Sequence, residues 1–208
     1  SLQVINANGS GTISPTIINT TFIGNEADDG GAIRNFGPAT ISSTIINSTF
    51  TDNAALGSGG DGGAIENTAN PDGSEPTIST TIENTILWGN TATDSGNQAY
   101  STGGGSTLSI DASIIEAGDT GLFGSSAFSG GSDNLDSDPL FVDVANGNVR
   151  LNWASPAIDA GDDGMVSPGT DLAGNSRIQG PTVDIGAYEG GVAPSSGSVS
   201  ALRVDASM

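Results

Sequence analysis

The chain reads as an all-β protein, a right-handed single-stranded parallel β-helix with about three strands per coil, and three observations predict this solenoid. A ten-residue phrase recurs almost unchanged at Thr16 to Asn25, Thr44 to Asn53 and Thr81 to Asn90, the mark of a repeat architecture. Its apolar positions keep common steps: Ile17, Ile45, Ile82 and Ile110 lie 28, 37 and 28 residues apart, and Phe22, Phe50, Leu87 and Ile115 follow the same spacing. Insertions therefore fall outside the core. Around each apolar residue Thr, Ser or Asn recurs at period two, which suits strands with one buried face and excludes helical periodicity.

The elements of a unit follow in order. A Thr-x-Ser phrase at Thr12, Thr40, Thr77 and Thr107 carries the inward row Ile13, Ile41, Ile78 and Leu108. The row of Ile17, Ile45, Ile82 and Ile110 comes next, then that of Phe22, Phe50, Leu87 and Ile115, each residue stacking on its copy at roughly 4.8 Å per coil. Asn19, Asn47 and Asn84, and likewise Asn25, Asn53 and Asn90, fall at corners, where each set predicts a ladder of amides bonding the copies above and below. Gly-Gly-Ala-Ile at Gly30 and Gly62, degenerate at Ala99-Tyr100, supplies another strand, its paired glycines allowing the positive φ of a tight corner.

Regular coils occupy residues 1–118, with the longest loop at Thr68 to Glu75 and its Asn70-Pro71-Asp72-Gly73 turn signal. Residues 119–136 are a Gly/Ser-rich excursion. Residues 119–189 are expected to continue the solenoid as irregular closing coils, on short strand candidates at Leu140 to Val142, Val149 to Leu151 and Val183 to Ile185, with Trp153 covering the end of the core. Residues 190–208 form a Gly/Ser/Pro linker and a strand-like tail containing Ala201, Leu202 and Val204.

Composition narrows the partners. Of 208 residues, Lys plus Arg make 4 and Asp plus Glu 24, a formal net charge of -20, with no His and no Cys. Nucleic acid and anionic membrane surfaces are excluded as partners, because counterion release needs a positive patch. Absence of cysteine is compatible with secretion. There is no 18-residue apolar run and no basic segment leading into an apolar one, which predicts no membrane insertion and a mature or trimmed chain.

Two resemblances extend the reading. Phe-x-x-Asn at Phe22 and Phe50 and Gly-Gly-Ala-Ile at Gly30 and Gly62 resemble the repeats of polymorphic outer-membrane-protein adhesins. The run from Ser137 to Asp143, Ser155 to Gly161, Thr170 to Asn175, Arg177 and Asp184 to Glu189 resembles the closing segment of the choice-of-anchor Q group of secreted bacterial proteins. That resemblance implies extracellular or cell-surface display and supplies no reaction.

The function expected is structural or adhesive: a non-catalytic, secreted subunit of a surface layer or fibre. Aligning Val4 to Asn6 with Ile33 to Asn35 has the chain begin inside a coil without a polar cap. Such an end invites stacking on another copy, with the tail added as a strand to its neighbour. Surface glycans are the other partner compatible with this. Polysaccharide lyase or hydrolase chemistry is the alternative, but a lyase base is missing, since the cations are only Arg34, Arg150, Arg177 and Arg203. Hydrolysis needs two carboxyl groups about 5 to 9.5 Å apart. Asp28, Asp29, Asp61, Asp94 and Glu66 fall on or beside variable loops and read as solvated surface, so no catalytic residue is assigned. A further alternative is ice binding through an outward Thr-x-Ser ladder. Calcium is the one cofactor the sequence admits, on Asp159, Asp162, Asp163, Asp171 and Asp184, because hard cations take about six to eight oxygen ligands. The competing reading has Asp159 and Asp184 bonding turn backbone, with Arg177 as salt partner.

Overall fold

The computed structural model describes residues 2–5, 11–37, 39–69, 77–124, 127–131, 133–166 and 169–191, with side chains excepted at 2–5 and 127–130. The tail residues Ala201, Leu202 and Val204 and the loop at 70–76 lie outside the described residues.

The first turn carries β1 (Leu2–Ile5), β2 (Thr12–Ile13), β3 (Thr16–Ile18), β4 (Thr21–Ile23) and β5 (Glu26–Ala27). The second carries β6 (Ile33–Phe36), β7 (Thr40–Ile46), β8 (Thr49–Thr51) and β9 (Ala54–Ala55). The third carries β10 (Ile65–Thr68), β11 (Ile78–Glu83), β12 (Ile86–Trp88) and β13 (Thr91–Ala92). The fourth carries β14 (Ala99–Thr102), β15 (Thr107–Asp111) and β16 (Ile114–Ile115). A last turn follows with β17 (Leu122–Phe123) and β18 (Ala127–Gly130), and Leu135 bridges to Ile114. The described part of 119–136 thus stacks as a further coil.

Equivalent strands pair in parallel. The ladders run β1-β6-β10-β14-β17, then β2 and β3 with β7-β11-β15-β18, then β4-β8-β12-β16, and finally β5-β9-β13, a ladder of two-residue strands. Like side chains superpose as the spacing requires. Ile17, Ile45, Ile82 and Ile110 form one column and Phe22, Phe50, Leu87 and Ile115 another. The Phe22 and Phe50 rings stack at 4.6 Å, and Ile45, Phe50, Ile82 and Leu87 are wholly buried in the central core.

Three columns differ from the expected register. Leu108 pairs with Thr80, not Ile78, because the fourth coil reaches Ile110 two residues sooner after its Thr-x-Ser phrase than the third reaches Ile82. For the same reason Thr107 sits beside Ser79 and Ser109 beside Thr81, so the hydroxyl ladder proposed for ice binding is out of step in the fourth coil. At the start, Leu2 rather than Val4 pairs with Ile33.

The corners explain the glycine pairs. The first glycine is left-handed, at φ 56, 68 and 68 for Gly30, Gly62 and Gly96. The second has no room for a side chain: a Cβ on Gly31 would lie 2.1 Å from Gly63 O, and one on Gly63 2.3 Å from Asn97 O.

Among the described residues, those from 137 to 191 do not wind further coils. β19 (Phe141–Asp143) and β20 (Asn148–Leu151) form an antiparallel pair, and the chain then runs along the flank of the stack. Leu151, Ala157 and Ile185 bury Ile86 and Ile114 on the outer side of the β4-β8-β12-β16 ladder. Asn19 Nδ2 donates to Thr170 O, the Ala187 N–H to Thr49 Oγ1, and the Gly186 N–H to Asn84 O. This segment therefore straps the first three coils together. Trp153 is 60% exposed and covers no core end.

Candidate functional site

Charge gathers on the outer face of the β1-β6-β10-β14-β17 ladder. Register aligns Arg34, Glu66, Tyr100 and Phe123 in one outward column, with Phe36 two residues along from Arg34. Arg34 lies 2.8 Å from Glu66 Oε2 and 3.1 Å from Asp29 Oδ2, and its guanidinium sits over the Phe36 ring. The Thr68 hydroxyl donates to Glu66 Oε1. Glu66 is therefore buried and paired, which corrects its reading as solvated surface: opposite charges in successive coils meet across the ladder. Burial pushes its carboxyl above the ordinary range, against the lowering by Thr68 and Arg34. Burial and the neighbouring Asp94 carboxylate likewise raise Asp61, which bonds Tyr100. Tyr100 stacks on Phe123, whose ring is 55% exposed. With both oxygens of Glu66 engaged, the group joins two coils and offers no open acid or base to a substrate.

The two asparagine columns behave differently. Asn25 Nδ2 donates to Asn53 Oδ1 and Asn53 Nδ2 to Asn90 Oδ1, both at 2.8 Å. The chain continues from Asn90 Nδ2 to Gln98 Oε1 at 2.7 Å and from Gln98 Nε2 to Glu116 Oε2 at 2.8 Å. Asn19, Asn47 and Asn84 form no such ladder. Their backbones are left-handed, at φ 49, 48 and 48, and the side chains of Asn19 and Asn84 turn to the flanking strap. Asn84 Oδ1 accepts from the Asp162 N–H and its Nδ2 donates to Asp162 O, while neither amide atom of buried Asn47 has a partner.

Of the five aspartates considered for calcium, Asp162, Asp163, Asp171 and Asp184 hold backbone N–H groups with their carboxylates, while Asp159 enters through its own N–H. Asp184 accepts from the Asp159 and Gly190 N–H groups, Asp162 from Gly164, and Asp163 from Val183. Asp171 accepts from Ala173, Asn175 and Glu189. Burial pushes the Asp171 carboxyl up, but those donors outweigh it and hold the group below its usual value. Among the described residues no group of three or more His, Cys, Asp or Glu side chains converges on one point. Arg177, 1% exposed, pairs with Glu189 Oε1 at 3.2 Å and donates to Asp184 O and Gly186 O. Its salt partner is thus Glu189, in place of Asp159 or Asp184. Burial first, and then the Asp184 charge, push the Glu189 carboxyl up to about 8.

A cleft of about 490 Å³ opens where the strap's hairpin meets the ladder wall. Thr51, Trp88 and Gly89 form its solenoid side, Leu140, Phe141 and Val144 its hairpin side, with Asp52, Asp138 and Asn152 among its polar groups. Sequence reasoning missed it because the hairpin's place could not be read from repeats. One signal was present: Trp88 aligns with Ile23 and Thr51, an aromatic in a column of smaller residues.

No family model, no curated protein and no solved structure matches this chain.

Proposed function

We propose that the chain is a non-catalytic, extracellular structural β-helix whose copies stack end to end into a fibre or surface layer. One observation carries the reading. Ile17 and Phe22, at the end of the stack formed by the first turn, are only partly buried, whereas their copies Ile45 and Phe50 are fully so. Among the described residues β1 to β5 pair on one side alone, which leaves strand edges and apolar rows ready for another coil. The winding is taken as right-handed, the hand that parallel crossovers adopt almost without exception. About three longer strands then make each turn, with the two-residue ladder as its corner. The resemblance of the closing segment to choice-of-anchor Q proteins supports display outside the cell. The net charge of -20 suits saline surroundings, where screening confines repulsion between copies to about 8 Å.

Light scattering after size exclusion, with negative-stain microscopy over a concentration series, tests the proposal. Mass that grows with concentration, filaments of one coil's width, and loss of both in Phe22→Asp are expected. A monomer at every concentration overturns it. Clearance of neutral or acidic polysaccharide by the purified protein overturns the non-catalytic part separately.

A further inference from the structure

We propose that the cleft between the ladder wall and the strap's hairpin is a binding site for a neutral oligosaccharide. The inference goes beyond end-to-end assembly and does not depend on it, because the cleft lies on the flank.

Its size falls within the range of small-molecule sites, roughly 300–1,000 Å³. Its chemistry is mixed in the way a sugar ring is mixed. Trp88, Leu140, Phe141 and Val144 give apolar surface for the C–H face of a pyranose. The polar groups include acceptors and a donor. Among the described residues the Asp52 carboxylate carries no hydrogen bond, and Asp138 accepts one, from the Leu140 N–H. Asn152 Oδ1 is held by the Ala154 N–H, which leaves its Nδ2 to donate to a ligand. A hydroxyl needs both kinds of partner, whereas a cationic chain would use only the carboxylates. An extended peptide finds no free strand edge on the solenoid wall, since β8 and β12 are each paired on both sides.

The backbone at Asp52 makes an independent case that this wall is specialised. The position aligns with Gly24 and Gly89, left-handed at φ 62 and 74, yet the second coil places Asp52 there at φ 56. A side chain in that conformation costs about 1 kcal/mol that glycine avoids. The structure thus tolerates strain to hold a carboxylate at the cleft, next to the coil that supplies Trp88. The overall negative charge makes acidic glycans poor ligands, since carboxylates on both sides would repel them.

The test uses tryptophan emission. The chain has two tryptophans, so Trp153→Phe leaves Trp88 as the sole reporter. This variant is titrated with a panel of gluco-, manno- and xylo-oligosaccharides, with polygalacturonate fragments and an oligo-arginine peptide as comparators. The expected result is a saturable change in Trp88 emission with at least one neutral oligosaccharide. Asp52→Gly, which adopts the residue of the aligned coils, should keep the melting temperature or raise it while weakening binding about tenfold, the loss of a charge-assisted hydrogen bond. Asp138→Asn, which retains the bond to the Leu140 N–H, should weaken it similarly. No emission change across the neutral panel overturns the proposal. So does binding that is indifferent to both substitutions, or tighter binding of the peptide or of the acidic fragments.

Discussion

Replacing Asn53 by Asp changes one atom of the amide ladder and reverses two of its bonds. Asn53 Nδ2 donates to Asn90 Oδ1 and to Phe22 O, while its Oδ1 accepts from the backbone and side-chain N–H groups of Asn25. The side chain is wholly buried. An ionised Asp keeps the two accepted bonds and sets an oxygen against two acceptors. Two donated bonds are lost at about 1 kcal/mol each, and a carboxylate must be held away from water, so about 3–5 kcal/mol is expected at pH 7. Burial raises the folded-state pKa of the new carboxyl above its unfolded value of about 3.9, so the variant recovers stability as pH falls and its proton restores one donor. Near pH 4 the loss should shrink to about 1–2 kcal/mol. Urea unfolding followed by far-ultraviolet circular dichroism at the two pH values measures both numbers. A loss under about 1 kcal/mol at pH 7, or one equal at both pH values, would refute the reasoning.

Other substitutions probe separate columns. Phe50→Ala removes a wholly buried ring stacked on Phe22 and should cost about 3–5 kcal/mol in the same unfolding assay. Gly31→Ala drives a methyl into Gly63 O and the backbone of Ala54, so soluble yield and melting temperature should both fall, whereas Gly59→Ala meets open space and is strained only by its φ of 82. Glu189 has its folded pKa raised from 4.5 to about 8, so its contribution is full below about pH 4.5 and is lost as pH rises through about 8. Glu189→Gln should therefore flatten the alkaline side of a melting-temperature profile between pH 6 and 9. Arg34→Ala leaves buried Glu66 without its cation and should destabilise by about 2 kcal/mol at pH 7, with the loss reduced in the Arg34→Ala, Glu66→Gln double variant.

Legibility followed repetition. The columns through Ile45 and Phe50 could be read because stacking places like on like, and a constant step between apolar residues is a direct record of register. Leu108 leaves its expected column because a polar phrase does not set register: Thr107 lies 30 residues after Thr77, while Ile110 lies 28 after Ile82, and packing follows the isoleucines. The Asn19 column failed for a different reason. Asparagine suits both a ladder and a left-handed corner, and only the partner decides between them; for Asn84 that partner is Asp162, 78 residues away. The same holds for the cleft, whose two walls come from a repeated strand and an unrepeated hairpin. Glu66 and Arg34 were aligned correctly, but the sign change between coils marks an attraction, and solvation was the wrong conclusion from it.

A pile of coils touching only their neighbours should fray from either end, one layer at a time, with a broad melting curve. The strip running from Thr170 to Ala187 alters that expectation, since it is fastened to Asn19, Thr49 and Asn84 in three successive layers and shields Ile86 and Ile114 beside them. No one of those layers can melt without tearing the fastening from the rest. The rod should therefore fail as a block when heated or pulled, much as pages held by a spine resist being turned out singly.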